Sequence, residues 1–314
     1  MYYLGIDSSN YSTSLSIFDS DQYRVVAAQK MMLEVKVGST GLRQSDAVFS
    51  HVKNMPTAFK ALFNGVGCPK LSGIGVSVRP RDISGSYMPC FLVGQAIAHS
   101  IAATHEIPVF EFSHQAGHIM SALFGTGLSK ERSLEFLAFH VSGGTTDALD
   151  CALSENKLSI TASASSLDLF AGQAVDRVGN MLGLSFPSGE YLSALAEKSN
   201  CSQYMKPLLK GCDCCLSGLQ NKCQRLFDDG ASREDIARYC LLSISATIES
   251  MTKKLTANSP DKIIVFAGGV LSSSVIRAEL SHKFETAHFC EPVSLSSDNA
   301  VGVALLAAKE MEHI

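Results

Sequence analysis

The sequence predicts an α/β protein made of two similarly built halves. Residues 2–18 and residues 137–151 each have the pattern of an apolar strand, a small polar turn and a second strand. A third apolar run, residues 262–267, ends at Gly268-Gly269 and is typical of a buried strand that brings backbone close to a ligand. Two hairpins far apart in sequence, each followed by further strands and helices, indicate two α/β halves.

Helical patterns fill the intervals between these strands. We predict helices over about 45–63, 90–104, 114–123, 171–182, 190–198, 217–227, 233–256 and 299–312. Asp298 is the predicted N-cap of the last one. The loop-like region 125–135 is the best boundary in this chain, so we expect an N-terminal lobe over 1–130, a C-terminal lobe over 131–314 and a ligand cleft between the lobes.

Composition places the chain among folded proteins: 46% of its 314 residues are hydrophobic and 18% are charged. The net charge of −4 argues against a wholly basic nucleic-acid binder, although a local basic patch is compatible with it. We find neither a signal-peptide pattern nor an apolar run long enough to span a bilayer, so we expect a cytoplasmic protein without a membrane partner. In that compartment the ten cysteines should be thiols. The cluster over residues 212–223 lacks the paired spacing of a zinc ribbon, so we expect structural cysteines there.

His114 and His118 are four residues apart on a predicted helix. Residues at that spacing share one helical face, so both imidazoles can point at one metal ion. Two imidazoles and one carboxylate with open coordination positions suit iron(II), and zinc can use the same set. The spacing alone is a weak signal, because surface helices often carry two histidines.

The glycine-rich turns indicate a phosphate-containing ligand, since glycine lets backbone N–H groups approach closely. We expect the turns Ser142–Thr146 and Gly268-Gly269 to face one another across the cleft between the halves. Two hairpins and a strand ending in Gly-Gly resemble the three-part pattern of the actin-like, Hsp70-like and sugar-kinase (ASKHA) fold, which binds ATP. In that pattern Asp7 lies at the first phosphate turn.

Short motifs in a fixed order run through nearly the whole chain. They are His114-x-x-Gly117-His118, Val141-Ser-Gly-Gly144, Ala171-Gly-Gln-Ala-Val-Asp176-Arg177, Phe186-Pro-Ser-Gly189, Leu216-Ser-Gly-Leu219, Ala267-Gly-Gly-Val270 and Asp298-Asn299. This order resembles that of the TsaD family, formerly called O-sialoglycoprotein endopeptidases. Its members transfer a threonylcarbamoyl group from an adenylate to N6 of adenosine in tRNA.

The resemblance implies one divalent metal, with iron(II) favoured and zinc possible, held by His114, His118 and Asp298. It also implies an adenine nucleotide or adenylate as the donor ligand, with Asp176 accepting hydrogen bonds from the ribose hydroxyls. It does not single out a catalytic side chain. The implied substrate-binding residues are Val141, Ser142, Gly143, Gly144, Thr145, Asp176, Gly189 and Ser273.

The chain departs from the family pattern at several positions. Asn10-Tyr11-Ser12 replaces an acidic pair after a cysteine, and Ala116 replaces an acidic residue in the histidine motif. Ser273 replaces an Asn and would bind adenine or its ribose more weakly. Ser188 and Gln220 replace a Gly and a Lys. The implied metal ligands match the family pattern better than the nucleotide contacts do. We therefore identify the chain as a divergent short paralogue, whose donor or acceptor can differ from the family's.

Three functions remain open. The first is a metal-dependent threonylcarbamoyl or carbamoyl transferase acting on tRNA. The second is a related enzyme with a small-molecule acceptor, and the third is a non-catalytic nucleotide-binding partner of a homologous ASKHA-fold protein. The joint presence of His114, His118 and Asp298 favours the enzymes. A peptidase is disfavoured, because the chain has no H-E-x-x-H motif and Ala116 supplies no general base. His51 is a further candidate, although a buried helical histidine is the favoured interpretation there.

Overall fold

The computed structural model describes residues 1–34, 42–292, 295 and 299–312. The chain divides into two compact units. Unit 1 comprises Met1–Leu134, Leu153–Ser159 and Ser294–Ile314, and unit 2 comprises Glu135–Ala152 and Ile160–Val293. No described helix is long and apolar enough to cross a membrane.

Strands and helices alternate along most of the described chain. In order, they are β1 (Tyr2–Ser8), β2 (Ser12–Asp19), β3 (Arg24–Met32), α1 (Gln44–Phe63), β4 (Leu71–Arg79), α2 (Phe91–His105), β5 (Val109–Ser113), α3 (His114–Thr126), β6 (Ser133–Val141), β7 (Thr146–Ser154), β8 (Lys157–Ser165), α4 (Ala171–Met181), α5 (Gly189–Ala196), β9 (Leu208–Lys210), β10 (Asp213–Cys215), α6 (Ser217–Asp228), α7 (Arg233–Leu255), β11 (Ile263–Ala267), α8 (Ser274–Lys283), β12 (Ala287–Phe289) and α9 (Asn299–Glu312).

Unit 1 is built on a sheet with the strand order β3-β2-β1-β4-β5. The predicted first hairpin is confirmed, because β1 pairs with β2 in antiparallel register. β1 then pairs with β4, and β4 with β5, in parallel register. Strands β1 and β2 are buried along almost their whole length, which explains their nearly continuous small and apolar sequence.

The last helix, α9, packs directly on this sheet. A Cβ on Gly5 would lie 1.9 Å from the carbonyl oxygen of Ala300, and a Cβ on Gly75 would lie 2.0 Å from that of Val303. Glycine is therefore needed at both strand positions. The predicted division assigned all of 131–314 to the C-terminal lobe. In the structure, α9 and the segment Leu153–Ser159 belong to unit 1 instead.

Unit 2 is built on a second sheet with the order β12-β11-β6-β7-β8. The predicted second hairpin, β6 and β7, is confirmed, and β11 pairs in parallel with both β6 and β12. Phe139 and Phe266 are buried side by side with ring centroids 5.6 Å apart. Each such buried aromatic contributes on the order of 1.5–3 kcal/mol to folding. A separate two-stranded sheet pairs β9 with β10.

All ten cysteines lie in the described part of the chain and are free thiols. Cys214 and Cys223 are fully buried in the core of unit 2. Within the described ranges, no group of three or more His, Cys, Asp or Glu side chains is arranged to hold a metal ion.

Candidate metal and nucleotide sites

The histidine pair is positioned by the start of α3. Ser113 is the N-cap of this helix, and its hydroxyl oxygen accepts a hydrogen bond from the N–H of Ala116 at 3.0 Å. The same hydroxyl donates to Asp82 at 2.7 Å. His114 and His118 therefore lie one turn apart on the first two turns, and their Nε2 atoms are 3.0 Å from each other.

Asp7 lies behind His114, at the end of β1. Its Oδ1 is 2.8 Å from Nδ1 of His114, and the carboxylate is only 1% exposed. Burial opposes ionisation of Asp7. The neighbouring His114 and the hydrogen bonds from His114, Ser77 and Asn299 outweigh that effect, so the pKa of Asp7 is below its ordinary value. An ionised Asp7 accepts the Nδ1–H of His114, which leaves a lone pair on Nε2 facing His118.

Asn299, the first residue of α9, completes this arrangement. Its side-chain amide donates to Asp7 Oδ1 at 2.8 Å and to the Ser77 hydroxyl at 3.2 Å, and it also contacts Nδ1 of His114. Asn299 belongs to the Asp298-Asn299 motif, and the sequence predicted no role for it. The sequence feature that could have indicated a role is a polar amide at the start of a helix whose next turns are apolar.

These residues fit a metal by the chemistry of their donors. Imidazole nitrogens suit zinc and iron(II), and a metal-ligating His usually donates its other ring N–H to a carboxylate, as His114 does to Asp7. The predicted third ligand, Asp298, lies outside the described residues. The metal assignment therefore stays a prediction.

Close backbone packing holds α3 against α9. A Cβ on Gly302 would lie 1.8 Å from the carbonyl oxygen of Gly117, so the two helices touch through glycine. Ala116 is buried at 4% exposure on the same helix. A longer acidic side chain, usual for the family at that position, would have to be buried here.

His51 is a buried structural residue, as favoured from the sequence. Its side chain has 0% exposure, with Nε2 2.8 Å from the carbonyl oxygen of Ser9 and Nδ1 2.8 Å from the hydroxyl of Thr13. A carbonyl can only accept, so Nε2 carries the proton and Nδ1 accepts from Thr13. Burial lowers the pKa of His51, against the opposing effect of the Ser9 carbonyl. His51 thereby ties α1 to the turn between β1 and β2.

The predicted phosphate turn of unit 2 joins β6 to β7. The N–H of Ser142 donates to the carbonyl of Thr145 at 2.9 Å, and the hydroxyls of these two residues are also 2.9 Å apart. Nothing lies within 4 Å of a Cβ built on Gly143 or Gly144, so there is open space above the turn. Val141 is fully buried at the end of β6.

The second glycine pair, Gly268-Gly269, lies beside this turn. The prediction that the two turns face one another across a cleft between the halves was therefore wrong. Gly268 has φ +99°, and a Cβ there would lie 2.3 Å from the carbonyl oxygen of Val141. The reason is that β6 and β11 are parallel neighbours, so their carboxyl ends meet at the same edge of one sheet. Both turns therefore belong to unit 2.

A pocket of about 410 Å³ in unit 2 brings together two predicted binding residues, Gly189 and Ser273. Ser273 is hydrogen-bonded to Ser193, with their hydroxyl oxygens 2.8 Å apart. The pocket is lined by two carboxylates and several hydroxyls, and no Lys or Arg is among its described lining residues, so it suits a nucleoside better than a phosphate. Its lining residues are Val175, Gly189, Glu190, Ser193, Ala194, Glu197, Leu241, Gly269, Val270, Ser272, Ser273 and Ser274.

Asp176 lies close to this pocket without being part of its lining. One of its carboxylate oxygens accepts the N–H of Ser188 at 2.8 Å, which holds the segment leading into α5. Burial raises the pKa of Asp176, although the bond from Ser188 opposes this. Among the departures from the family pattern, Gln220 accepts a hydrogen bond from Arg177 at 3.1 Å, and Asn10 accepts one from Gln44 at 2.7 Å.

Comparison with known proteins identifies the family. The model of the TsaD family, described as tRNA N6-adenosine threonylcarbamoyltransferase, matches residues 29–305. The chain belongs to the TsaD family. The tRNA N6-adenosine threonylcarbamoyltransferase of Streptococcus uberis is 27% identical to it, over 99% of this chain and 92% of that protein. The protein of the same name from Archaeoglobus fulgidus is 25% identical, over 100% of this chain and 92% of the relative. The family and these relatives are named as transferases, so the predicted enzyme class is confirmed.

Solved structures confirm the predicted ASKHA-type fold. The activator of the 2-hydroxyisocaproyl-CoA dehydratase from Clostridium difficile with bound ADPNP superposes with a TM-score of 0.57 at 14% identity, over 99% of this chain and 96% of that chain. A ROK hexokinase from Thermus thermophilus gives 0.52 at 15% identity, over 99% and 100%. HypF from T. kodakarensis gives 0.62 at 14% identity, over 99% of this chain and 48% of that one.

Proposed function

We propose that this protein transfers a threonylcarbamoyl or similar carbamoyl-type group from an adenylate to an amine, with N6 of adenosine in tRNA as the leading acceptor. The observation that carries the proposal is the His114–His118 pair, oriented by the buried Asp7 in a member of the TsaD family. We place the activity in the cytoplasm, where thiols such as the ten in this chain stay reduced.

His114, His118 and Asp298 would hold one divalent metal, with iron(II) favoured and zinc possible. When bound, the metal supplies positive charge that stabilises the oxygens of the reacting group. The protein's own contribution is to orient the ligands. Asp7 fixes the tautomer of His114, and Asn299 fixes the position of Asp7.

The donor adenylate would bind to unit 2. Its phosphate would lie against the backbone of Val141, Ser142, Gly143, Gly144 and Thr145, where the glycines leave open space. Its nucleoside would lie in the pocket beside Gly189 and Ser273. The carboxylates and hydroxyls that line this pocket can accept hydrogen bonds. Asp176, which already holds Ser188, would accept from the ribose. The protein would then act mainly by positioning the donor.

A small-molecule acceptor is the second candidate. The features that favour it are the altered segment Asn10-Tyr11-Ser12 and the net charge of −4. The Asn10 side-chain oxygen accepts a hydrogen bond from Gln44, and Asn10 carries no charge where the family pattern has an acidic pair. A purely non-catalytic role is the third candidate, and it would not require the Asp7–His114–His118 arrangement.

A homologous ASKHA-fold protein remains a proposed partner. Unit 1 exposes an apolar face on α1 and α2, where Phe49 is 66% exposed, Val52 58% and Leu92 47%. A groove beside it has a volume of about 570 Å³ and is lined by apolar residues of the two helices. Apolar faces of this kind are typical of protein interfaces.

The proposal is tested by complementing a strain that lacks its own threonylcarbamoyl transferase, with the host's partner proteins present. We expect the gene for this protein to restore the modified adenosine in tRNA nucleosides analysed by mass spectrometry, and a His118→Ala variant to fail. If well-expressed protein leaves the adenosine unmodified, the tRNA acceptor is wrong, and transfer to a small acceptor becomes the surviving enzyme hypothesis.

A further inference from the structure

One stretch of unit 2 carries a net positive charge. Residues 198–225 contain five cationic side chains and one carboxylate, in a chain whose net charge is −4. The carboxylate, Asp213, lies opposite Lys210 in the β9–β10 pair, but its Oδ1 accepts the N–H of Ser165 at 2.8 Å. The cations are Lys198, Lys206, Lys210, Lys222 and Arg225.

This stretch begins with an extended segment that lies along α7. The carbonyl of Cys201 accepts from Arg238 at 2.9 Å, the N–H of Met205 donates to Ser243 at 2.8 Å, and the carbonyl of Gly211 accepts from Lys254 at 2.8 Å. The contacts follow α7 over 16 residues, or about 24 Å of helix. The segment is therefore fixed on a rigid support.

The side chains of this segment alternate between two faces. Met205, Pro207 and Leu209 are partly buried, whereas Lys206 and Lys210, at the alternate positions, are exposed. Tyr204 and Leu208 are exposed as well, at 56% and 57%. Alternation with period two is the geometry of an extended chain, so one face presents an aromatic ring, two lysines and a leucine. We call Tyr204, Lys206, Leu208 and Lys210 the basic strip.

The start of α6 packs against the partly buried face of this segment. A Cβ on Gly218 would lie 3.8 Å from the sulfur of Met205, which places the start of α6 against the segment. Lys210, on β9, could serve to protect a sheet edge from pairing. That role explains neither the exposed Tyr204 nor Lys206, which both precede the strand.

We propose that the basic strip is an RNA-binding surface, with Lys206 and Lys210 on backbone phosphates and Tyr204 stacked on a base. Aromatic rings interleaved with cations are the arrangement with which proteins hold unpaired nucleotides. Lys206 and Lys210 are about 13 Å apart along an extended chain, which spans a few nucleotides. This inference rests on the proposed tRNA acceptor and adds the place where that tRNA would be held.

The test is equilibrium binding of an unmodified tRNA transcript to the full-length protein at several salt concentrations. We expect Lys206→Glu combined with Lys210→Glu to weaken binding at least tenfold at 0.1 M salt, and to lower the slope of log affinity against log salt by about 1.5. Tyr204→Ala should weaken binding roughly tenfold without changing the slope, because stacking involves no counterion. Lys60→Glu combined with Lys157→Glu changes the net charge equally elsewhere and should have little effect.

Nucleotide binding, measured by calorimetry with ADP, separates the possible failures. We expect it to be unchanged in all these variants, which also shows that they are folded. If the wild type binds tRNA and the Lys206/Lys210 variant binds it equally well, or if the control variant loses as much, the basic strip is not the RNA surface. If the wild type binds ADP but no tRNA, the tRNA acceptor of the proposed function fails together with this inference.

Discussion

The side chain of Asn299 occupies the space that a side chain on Gly117 would need: a Cβ on Gly117 would lie 1.7 Å from Oδ1 of Asn299. Gly117 lies between the two histidines of α3, and Asn299 is hydrogen-bonded to Asp7. Gly117 is thus required because Asn299 of α9 packs against it. The same Asn299 side chain holds Asp7 behind His114.

Gly117→Ala tests this relationship. The added methyl group cannot fit without moving Asn299, so we expect a loss of roughly 1–3 kcal/mol in the free energy of unfolding and weaker metal binding. Gly143→Ala is the matched control for stability, because a Cβ there meets nothing within 4 Å. Urea unfolding measures both variants. Equal stability of Gly117→Ala and wild type would show that Asn299 is not held as described.

The metal site makes a second prediction. Protein loaded with iron(II) should hold about one metal per chain, and His118→Ala should lose it. Asp7→Asn keeps the shape of the side chain but removes its charge, so we expect metal affinity to fall roughly 10–100-fold. Affinity should also fall as the solution becomes acidic, because histidines must be neutral to bind a metal. Elemental analysis after dialysis gives the stoichiometry, and His99→Ala is a control at an exposed histidine. Full metal content in His118→Ala would refute the assignment.

Two substitutions of Asp176 separate its hydrogen bond with Ser188 from its proposed contact with the ribose. Asp176→Ala removes both the bond to Ser188 and the ribose acceptor, and we expect it to weaken ADP binding by roughly 1.5–3 kcal/mol. Asp176→Asn can keep the bond from Ser188, so it should lose less binding and retain wild-type stability. Burial raises the pKa of Asp176, so the carboxylate should take up a proton above the ordinary aspartate range, and ADP binding should weaken as the pH falls. If calorimetry finds equal affinity in both variants and the wild type, Asp176 does not contact the ribose.

His51 predicts a specific pH dependence of stability. Its folded-state pKa is lowered by burial, so below the unfolded-state value near 6.5 the unfolded chain binds a proton that the folded chain does not. The free energy of unfolding should therefore decrease as the pH falls through about 6.5. His51→Gln can donate to Ser9 and accept from Thr13 without titrating, and should reduce this decrease, whereas the exposed His105→Gln serves as the control. Parallel pH profiles of wild type and His51→Gln, measured by urea unfolding, would contradict the assignment.

The sequence predicted the features that depend on local patterns. Alternating and continuous apolar runs predicted the hairpins β1–β2 and β6–β7, and helical spacing placed His114 and His118 on one face. The features it missed depend on long-range topology. The contact of Gly268 with Val141 follows from the pairing of β11 with β6, and the role of Asn299 follows from the packing of α9 on unit 1. Local periodicity carries no information on which distant strands become neighbours.

A reconstituted transfer reaction measures the proposed activity directly. Iron(II)-loaded protein would be incubated with unmodified tRNA transcript and an adenylate that carries threonylcarbamoyl, together with any required partner, and the tRNA nucleosides analysed by mass spectrometry. We predict modified adenosine with the wild type and none with His118→Ala. Adenosine that stays unmodified with wild-type protein, under conditions where calorimetry shows that the adenylate is bound, would contradict the account.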